Sequence, residues 1–322
     1  MSIQKVVVCG GGVLGSQIAF QSQFCGFETV IWLRSPDSVK RTQPKLDSIY
    51  QTYLDALETM DSVESKENLC RGLARSYEEF DYSEAVARTH DAYEHLRIEL
   101  DLEKALEGAD IVIESMSENL GEKKSFYKKM APYLGPNTII CTNSSSLLPS
   151  KFMEATGHPR RFCALHFAND IYKCNTAEVM MTSKTDPRVF EEVVLFAKQI
   201  NMVPLRLTKE KEGYLLNSML IPFLMSGFDL YANEISTPED IDTAWKVGTG
   251  SALGPFEILD IVGMKTVYEI VKKYTKVPGF IAPYNFKAQA KILKAMIDKG
   301  HLGKSSGQGF YTYDEKGNKL DA

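Results

Sequence analysis

The stretch that decides the fold is Val6-Val7-Val8-Cys9-Gly10-Gly11-Gly12-Val13-Leu14-Gly15. A β-branched run leads directly into a Gly-x-Gly-x-x-Gly turn, and a helix-compatible run from Ser16 to Phe24 follows the turn. Glycines permit a tight turn here and let the backbone approach a diphosphate, whose charge is stabilised by N–H groups at a helix N-terminus. The stretch therefore predicts a dinucleotide site formed by Gly10, Gly12, Val13, Leu14 and Gly15. The alternative is a glycine-rich turn that holds no ligand.

The first half of the chain alternates short β-branched runs with helical stretches, a pattern typical of a parallel sheet covered on both faces. The runs are Val6-Val7-Val8, Val30-Ile31-Trp32, Ile111-Val112-Ile113, Thr138-Ile139-Ile140 and Phe162-Cys163-Ala164-Leu165. The polar stretch from about residue 36 to 107 predicts helices, as a projecting pair, with a disordered insert as the alternative. We therefore predict an α/β fold that begins with a doubly wound Rossmann sheet.

After about residue 205 the strand pattern stops and helical signals take over. Thr237-Pro238-Glu239-Asp240 predicts a helix start, with Thr as N-cap, Pro at the first helical position and acids in the first turn. The apolar run from Leu215 to Phe228 contains Asn217 and Pro222 and is shorter than the ~20 apolar residues of a membrane span, so it predicts a buried helix. We predict a Rossmann domain over residues 1–205 and an all-helical substrate and dimerisation domain over residues 206–322.

Composition and charge narrow the possible partners. The chain has 322 residues and a net charge of -5, which is unlike an electrostatic nucleic-acid binder, so we expect a small-molecule ligand. Its six cysteines show no Cys-x-x-Cys pair and no metal spacing, which predicts reduced thiols and no metal site. Met1 to Lys5 run directly into the first strand without an export signal, so we expect a cytoplasmic protein.

The end of the second predicted strand indicates which dinucleotide is bound. NAD-type domains carry an Asp or Glu there for the ribose hydroxyls, whereas this chain has Leu33 followed by Arg34 and Ser35. An arginine with a neighbouring serine can pair with a 2′-phosphate, which a carboxylate would repel. The sequence therefore favours NADP(H) over NAD(H). The alternative is that Arg34 is a solvated charge and the enzyme uses NAD.

Ordered segments along the whole chain resemble the 3-hydroxyacyl-CoA dehydrogenase family. They are Glu118-Asn119-Leu120 with Lys123, Asn143-Ser144-Ser145-Ser146-Leu147, His166-Phe167, Gly213-Tyr214-Leu215-Leu216-Asn217, Glu239-Asp240-Ile241-Asp242-Thr243-Ala244, Gly254-Pro255-Phe256-Glu257-Ile258-Leu259-Asp260 and the run from Gly303 to Tyr311. The resemblance implies a nicotinamide-dependent enzyme that interconverts 3-hydroxyacyl and 3-oxoacyl groups of an acyl-CoA. It also implies a homodimer formed through the helical domain, although the apolar run at Leu220 to Leu224 is equally compatible with ordinary core.

A catalytic set follows from the chemistry together with the resemblance. Oxidation of a secondary alcohol needs a base, and His is the side chain whose ordinary pKa lies closest to neutrality, so His166 is the candidate. Glu178, twelve residues later, is predicted to orient it, the alternative being a solvated strand-end Glu. Ser145 and Asn217 are predicted to hold the substrate oxygen, and Ser145 has serines on both sides that could replace it. By resemblance, the cofactor's nicotinamide and ribose are lined by Glu118, Lys123, Asn143 and Asn169. The other histidines are expected on the surface.

The chain departs from the family pattern around the substrate. Ala168 and Asp170 replace a Phe and a Pro, and simple counting places Ile49 and Ala56 where the family has its CoA-contacting Ser and Lys. Ser305 replaces a cofactor-contacting Lys. Two alternatives therefore stay open: a dehydrogenase or reductase of a β-hydroxy or β-keto acid or ester without CoA, and a non-catalytic dinucleotide-binding structural protein.

Overall fold

A computed structural model describes residues 3–315 and 317–320, and it divides the chain into two compact units, Met1–Leu215 and Leu216–Ala322. The sequence predicts this boundary after residue 205, ten residues earlier. The segment after the last strand belongs to the first unit because it packs on β6 and β7: Tyr214 stacks on His166, and the Leu215 N–H donates to Glu178.

The described part of the first unit contains one eight-stranded sheet with the order β3-β2-β1-β4-β5-β6-β7-β8. The strands are β1 Lys5–Cys9, β2 Glu28–Trp32, β3 Arg97–Glu99, β4 Ile111–Glu114, β5 Ile139–Thr142, β6 Phe162–Phe167, β7 Thr176–Met180 and β8 Val203–Leu207. The first six in that order are parallel, as a Rossmann sheet requires, and the Rossmann prediction is confirmed. β7 runs antiparallel to β6, whereas the five strands that the sequence predicted all run parallel to one another.

Helices cover both faces of this sheet, and strand side chains alternate between two cores. The helices are α1 Val13–Phe24, α2 Pro36–Ser62, α3 Tyr82–His95, α4 Leu102–Leu106, α5 Leu120–Met130 and α6 Pro187–Gln199. On β1, Val6 and Val8 enter one core, while Val7 and Cys9 enter the other. Burial on both faces explains why the strands are continuous apolar runs rather than alternating ones.

The polar stretch between β2 and β4 forms helices as predicted, but they do not project away from the unit. Buried residues recur along α2 at the helical spacing of three to four and join the core beside α1. Tyr53 on α2 is fully buried, and its hydroxyl donates to Gln21 Oε1 at 2.6 Å. The stretch therefore has an apolar stripe that packs the helices against the sheet domain.

The second unit is mainly helical and has its own core. Its helices are α7 Leu216–Ala232, α8 Pro238–Thr249, α9 Pro255–Val262, α10 Met264–Lys272 and α11 Phe286–Asp298. Thr237 caps α8 by accepting the Asp240 N–H at 3.2 Å, which confirms the predicted helix start. The predicted helical domain is confirmed, and after α11 the chain adds isolated β-bridges between Gly303 and Lys319. None of the described helices is long and apolar enough to cross a bilayer.

Helix α7 is only partly the buried helix that the sequence predicted. Leu224, Met225 and Phe228 in its second half are buried, but Met219 in its first half is 66% exposed. Helix α7 therefore exposes apolar side chains, because its apolar residues occupy more of the helix surface than the core of the second unit covers.

A carboxylate in α9 links two lysines of the second unit. Glu257 Oε1 lies 2.9 Å from the Nζ of Lys246 and 2.8 Å from the Nζ of Lys319, and Oε2 accepts the Gly254 N–H at 3.0 Å. Burial alone would raise the pKa of Glu257, but these hydrogen bonds outweigh burial and lower that pKa to about 2. The carboxylate is therefore held ionised by its partners.

Candidate active site

The pairing of β6 with β7 places His166 beside Glu178. The two residues are direct partners in the antiparallel register, so their side chains lie on the same face of the sheet. His166 Nδ1 lies 2.9 Å from Glu178 Oε2, and the two residues are only 5% and 3% exposed. A carboxylate can only accept, so Nδ1 carries a proton, and in the neutral imidazole Nε2 is then the acceptor. The solvated strand-end alternative for Glu178 is incompatible with this geometry.

A turn just before the end of the first unit holds this pair from the other side. The Leu215 N–H donates to Glu178 Oε1 at 2.8 Å, so each carboxylate oxygen has a partner. The Tyr214 ring stacks on the His166 ring with centroids 4.4 Å apart and planes 19° apart. Its hydroxyl donates to the Ser144 carbonyl at 2.7 Å. Tyr214 has a φ of 53°, which is uncommon for a bulky residue and marks a turn fixed by its contacts.

The loop after β5 presents one of its three serines to His166. Ser145 Oγ lies 3.1 Å from His166 Nε2 and is exposed, whereas its two neighbours contact Glu118 instead. Glu118 Oε1 accepts the Ser144 hydroxyl and the Ser146 N–H, each at 2.6 Å. Burial alone would raise the pKa of Glu118, but these hydrogen bonds and the charge of Lys123 outweigh it and lower that pKa. The structure therefore brings Ser145, rather than an adjacent serine, to His166.

Lys123 lies beneath this loop and contacts carboxylates. It is 1% exposed, with Nζ 2.6 Å from Glu114 Oε1 and 3.7 Å from Glu118 Oε2. Glu114 Oε2 also accepts the hydroxyls of Tyr127 and Thr142, at 2.9 and 2.8 Å. A buried ion pair with its remaining lone pairs satisfied fixes the positions of its members. Lys123 therefore positions Glu118 in this structure, and its own contact to a cofactor stays a prediction.

Asn143 joins the ends of three parallel strands. Its Oδ1 accepts the Phe167 N–H at 3.1 Å, and its Nδ2 donates to Ser115 Oγ at 3.3 Å. Asn169 lies exposed in the turn between β6 and β7, and its role stays a prediction. Asn217 lies near the start of α7 in the second unit, and its predicted contact with the substrate oxygen likewise stays a prediction.

The glycine turn borders a cavity of about 560 Å³ at the carboxyl edge of the sheet. A Cβ on Gly10 would lie 2.4 Å from the Ser115 carbonyl oxygen, and one on Gly15 would lie 2.0 Å from the Gly10 carbonyl oxygen. At Gly12, by contrast, a Cβ would meet nothing within 4 Å, and Gly12 caps α1 without a side-chain hydrogen bond. The turn is therefore closely packed against backbone at Gly10 and Gly15, and it leaves open space beside Gly12 at the N-terminus of α1. These residues fit a dinucleotide diphosphate.

Both units match one family of enzymes. Residues 5–211 match the description 3-hydroxyacyl-CoA dehydrogenase, NAD binding domain, and residues 213–313 match the C-terminal domain of the same family. The chain belongs to the 3-hydroxyacyl-CoA dehydrogenase family. It is therefore an oxidoreductase that uses a nicotinamide cofactor, as the sequence predicted.

Relatives of this 3-hydroxyacyl-CoA dehydrogenase family member span nearly its whole length. The mitochondrial hydroxyacyl-coenzyme A dehydrogenase of Homo sapiens is 29% identical over 97% of this chain and 91% of that protein. A probable 3-hydroxybutyryl-CoA dehydrogenase of Bacillus subtilis is 26% identical over 98% of this chain and 99% of that protein. A diketoreductase structure, described as showing substrate-directed dual catalysis of dicarbonyl compounds, is 39% identical with a TM-score of 0.83, over 97% of this chain and 100% of that chain.

The cavity lining beyond the glycine turn lacks the carboxylate that NAD-type sites carry after the second strand. Leu33 is 3% exposed and packs beside Gly11, while Arg34 is exposed and lines the cavity. Ser35 caps α2 by accepting the Ser38 N–H at 3.3 Å, and its predicted contact with the cofactor stays a prediction. Ser38, Arg41 and Lys45 line the cavity there. The sequence motif does not include these three residues, although their spacing of three and four on a predicted helix indicates one shared face.

Among residues 3–315 and 317–320, no three His, Cys, Asp or Glu side chains form a group that could hold a metal ion. All six cysteines lie in this part of the chain and are free thiols. Burial raises the pKa of the Cys9 and Cys25 thiols, to about 12 for Cys25. These thiols are therefore inert at neutral pH.

Proposed function

We propose that this protein interconverts the 3-hydroxy and 3-oxo forms of an acyl-CoA. The observation that carries the proposal is that His166 Nε2 lies 3.1 Å from Ser145 Oγ, while Nδ1 is paired with Glu178. In a neutral imidazole this pairing leaves Nε2 as the acceptor. In the oxidising direction the substrate hydroxyl gives its proton to Nε2. A bound nicotinamide supplies the acceptor for the hydride that leaves the same carbon. In the reducing direction Nε2–H returns the proton to the developing alkoxide.

Glu178 and Ser145 have separate roles in this scheme. The Glu178 carboxylate keeps the imidazole in the tautomer that can accept a proton, and it stabilises the imidazolium that forms. The Ser145 hydroxyl donates a hydrogen bond to the substrate oxygen, which bears the charge that develops when the proton leaves. We assign Asn217 a second hydrogen bond to the substrate, on the basis of the family motif in which it lies.

Replacement of His166 by Gln tests the catalytic assignment. We expect kcat to fall by ~10² to 10⁴-fold, the usual effect of losing an acid–base group. The matched control is His95→Gln, because His95 is exposed on α3 and contacts Asp91 rather than the site. If His166→Gln keeps kcat within a few-fold of the control, His166 is not the general base.

A second substrate class is favoured by a specific observation. The diketoreductase, whose structure is described as showing catalysis of dicarbonyl compounds, is 39% identical to this chain, and the match covers 97% of this chain. A β-diketo ester presents the same carbonyl chemistry without CoA. Measuring kcat/KM for acetoacetyl-CoA and for a β-diketo ester separates the two classes, because the acyl-CoA proposal requires the larger value for acetoacetyl-CoA. Turnover of either compound eliminates the non-catalytic alternative.

We propose that the cofactor is NADP(H) in preference to NAD(H). The support is the buried Leu33 where an NAD site has a carboxylate, together with Arg34, Arg41 and Lys45 on the same cavity. We expect kcat/KM to be at least tenfold larger with NADPH than with NADH. Equal or better use of NADH would overturn this preference without affecting the assignment of the reaction.

We propose a homodimer formed through the second unit. Its support is the family resemblance and the exposed apolar surface of α7, where Met219 and Leu216 are 66% and 39% exposed. Met219→Lys should shift the protein from dimer to monomer in sedimentation experiments, because a charge in an apolar interface is costly. A wild-type monomer at micromolar concentration would refute the proposal.

We also propose the cytoplasm as the location, supported by the six free thiols.

A further inference from the structure

We propose that Ser38 and Arg41, on the first turns of α2, form a phosphate monoester subsite together with Arg34. The group bound there is the 2′-phosphate on the adenosine ribose of the cofactor. This inference rests on the proposed preference for NADP(H) and goes beyond it, because it assigns the discrimination to residues on α2 that the sequence motif does not contain.

Helix α2 presents one face to the cavity that the glycine turn borders. Ser38, Arg41, Thr42 and Lys45 lie three to four residues apart, so they share this face, and all four line the cavity. Thr42 attaches the face to the glycine turn, because its hydroxyl donates to the Gly11 carbonyl at 3.2 Å. A Cβ on Gly11 would lie 2.1 Å from Thr42 Oγ1, so the contact is close. The α2 side chains and the diphosphate turn therefore belong to one cavity.

The charge at this end of the cavity is strongly positive. Arg34, Arg41 and Lys45 line it, and Glu122 is its single acidic residue among those described. Glu122 belongs to α5, where its carboxylate accepts the Ser117 hydroxyl at 2.5 Å. No salt bridge to Arg34 or Arg41 is found in the described part of the chain. An uncompensated pair of guanidinium groups favours a dianion and disfavours a neutral ribose diol as the ligand.

Hydrogen bonds within α2 hold the two proposed ligands in place. Arg41 donates to Ser38 Oγ at 3.1 Å, and the hydroxyls of Ser38 and Ser35 are 3.1 Å apart. Ser35 is committed to capping the helix, so Ser38 is the hydroxyl that faces the cavity. Lys45 donates to the Arg41 carbonyl and adds positive charge to the cavity lining. The guanidinium and the hydroxyl together match the acceptor oxygens of a phosphate monoester.

Binding measurements on the full chain test this subsite independently of turnover. Titration calorimetry would give Kd for NADP⁺, for NAD⁺ and for the fragment adenosine 2′-phosphate. Arg41→Leu should raise Kd for NADP⁺ and for the fragment by ~10 to 100-fold, because hydrogen bonds to charged groups are lost. Kd for NAD⁺ should change less than about threefold, since NAD⁺ has no 2′-phosphate. Ser38→Ala should produce the same pattern with a smaller effect of ~3 to 10-fold.

The matched control is Lys40→Leu, which removes the same charge from the exposed side of α2, where Lys40 contacts Asp37. It should leave all three Kd values within about twofold, because screening weakens charges outside the cavity. If Arg41→Leu weakens NADP⁺ and NAD⁺ equally, or weakens neither, the assignment of Arg41 is wrong. If the wild-type protein itself binds NAD⁺ as tightly as NADP⁺, the proposed cofactor preference fails. A wild-type preference that survives both Arg41→Leu and Ser38→Ala would overturn only the α2 subsite.

Discussion

Replacing Glu178 by glutamine removes a charge beside His166 while keeping the size of the side chain. In the wild-type protein Oε1 accepts the Leu215 N–H at 2.8 Å, and Oε2 accepts the His166 Nδ1–H at 2.9 Å. The introduced amide cannot satisfy both donors. If its oxygen faces Leu215, its NH₂ group faces Nδ1 and forces the proton to Nε2, which then cannot act as a base. If its oxygen faces His166, two N–H groups face each other at Leu215.

The lost charge sets the size of the effect. Two unit charges about 4 Å apart interact by about 4 kcal/mol at an effective dielectric constant of about 20. His166 and Glu178 are 5% and 3% exposed, so solvent screens this interaction little. Since about 1.4 kcal/mol corresponds to a tenfold change in rate, Glu178→Gln should lower kcat by ~10³-fold.

Single-turnover measurements at saturating cofactor would show this loss in the chemical step, and a cofactor titration should show Kd within about threefold of wild type. Glu191→Gln is a suitable control, because Glu191 is an exposed carboxylate on α6 that pairs with Arg206. If Glu178→Gln retains a tenth or more of the wild-type single-turnover rate, the carboxylate does not set the protonation state of His166.

Three further predictions concern the glycine turn, the second unit and the tyrosine beside the site. Gly15→Ala should prevent stable folding, because its Cβ would lie 2.0 Å from the Gly10 carbonyl oxygen. Gly12→Ala should fold normally, because its Cβ meets nothing within 4 Å, and it should weaken cofactor binding by ~10-fold because that Cβ occupies the space proposed for the diphosphate. Glu257→Gln should lower the free energy of unfolding by ~1–2 kcal/mol at pH 7, because the folded-state pKa is lowered from 4.5 to about 2, and this loss should vanish as pH falls through that range. Tyr214→Phe should lower kcat by ~3 to 10-fold without changing cofactor Kd, because the stacked ring stays and the hydrogen bond to the Ser144 carbonyl is lost.

Each of these predictions has a result that contradicts it. Equal melting temperatures for Gly15→Ala and Gly12→Ala would contradict the packing argument. An effect of Glu257→Gln in urea unfolding that is the same at pH 7 and pH 3 would show that the carboxylate's charge is not what stabilises the second unit. A Tyr214→Phe protein with wild-type kcat would show that the hydroxyl does not position the serine loop.

Local sequence patterns determined the framework of this protein. The glycine turn, the β-branched runs and the capping motif at Thr237 depend on interactions within a few residues, so they could be recognised without the fold. His166 at the end of a strand also followed from order along the chain, because carboxyl ends of parallel strands meet at one edge of the sheet.

Contacts between distant segments needed the tertiary structure. The antiparallel register of β7 brings Glu178 to His166, and the hydrogen bonds of Glu118 decide that Ser145 is the serine that faces the histidine. Tyr214 reaches the ring from a turn 48 residues further along the chain. Local propensity does not encode such pairings, because they depend on which strands become neighbours and in which register.

At the site proposed for the cofactor's adenosine, sequence and tertiary structure each determined a different part. The sequence by itself determined that an acid is missing at Leu33 and that a cation follows it. Only the folded chain showed that Ser35 is used to cap α2 and that Ser38 and Arg41 face the cavity instead. The physical reason is that the direction of a helical side chain depends on how the helix packs, and α2 is oriented by Thr42 against the glycine turn.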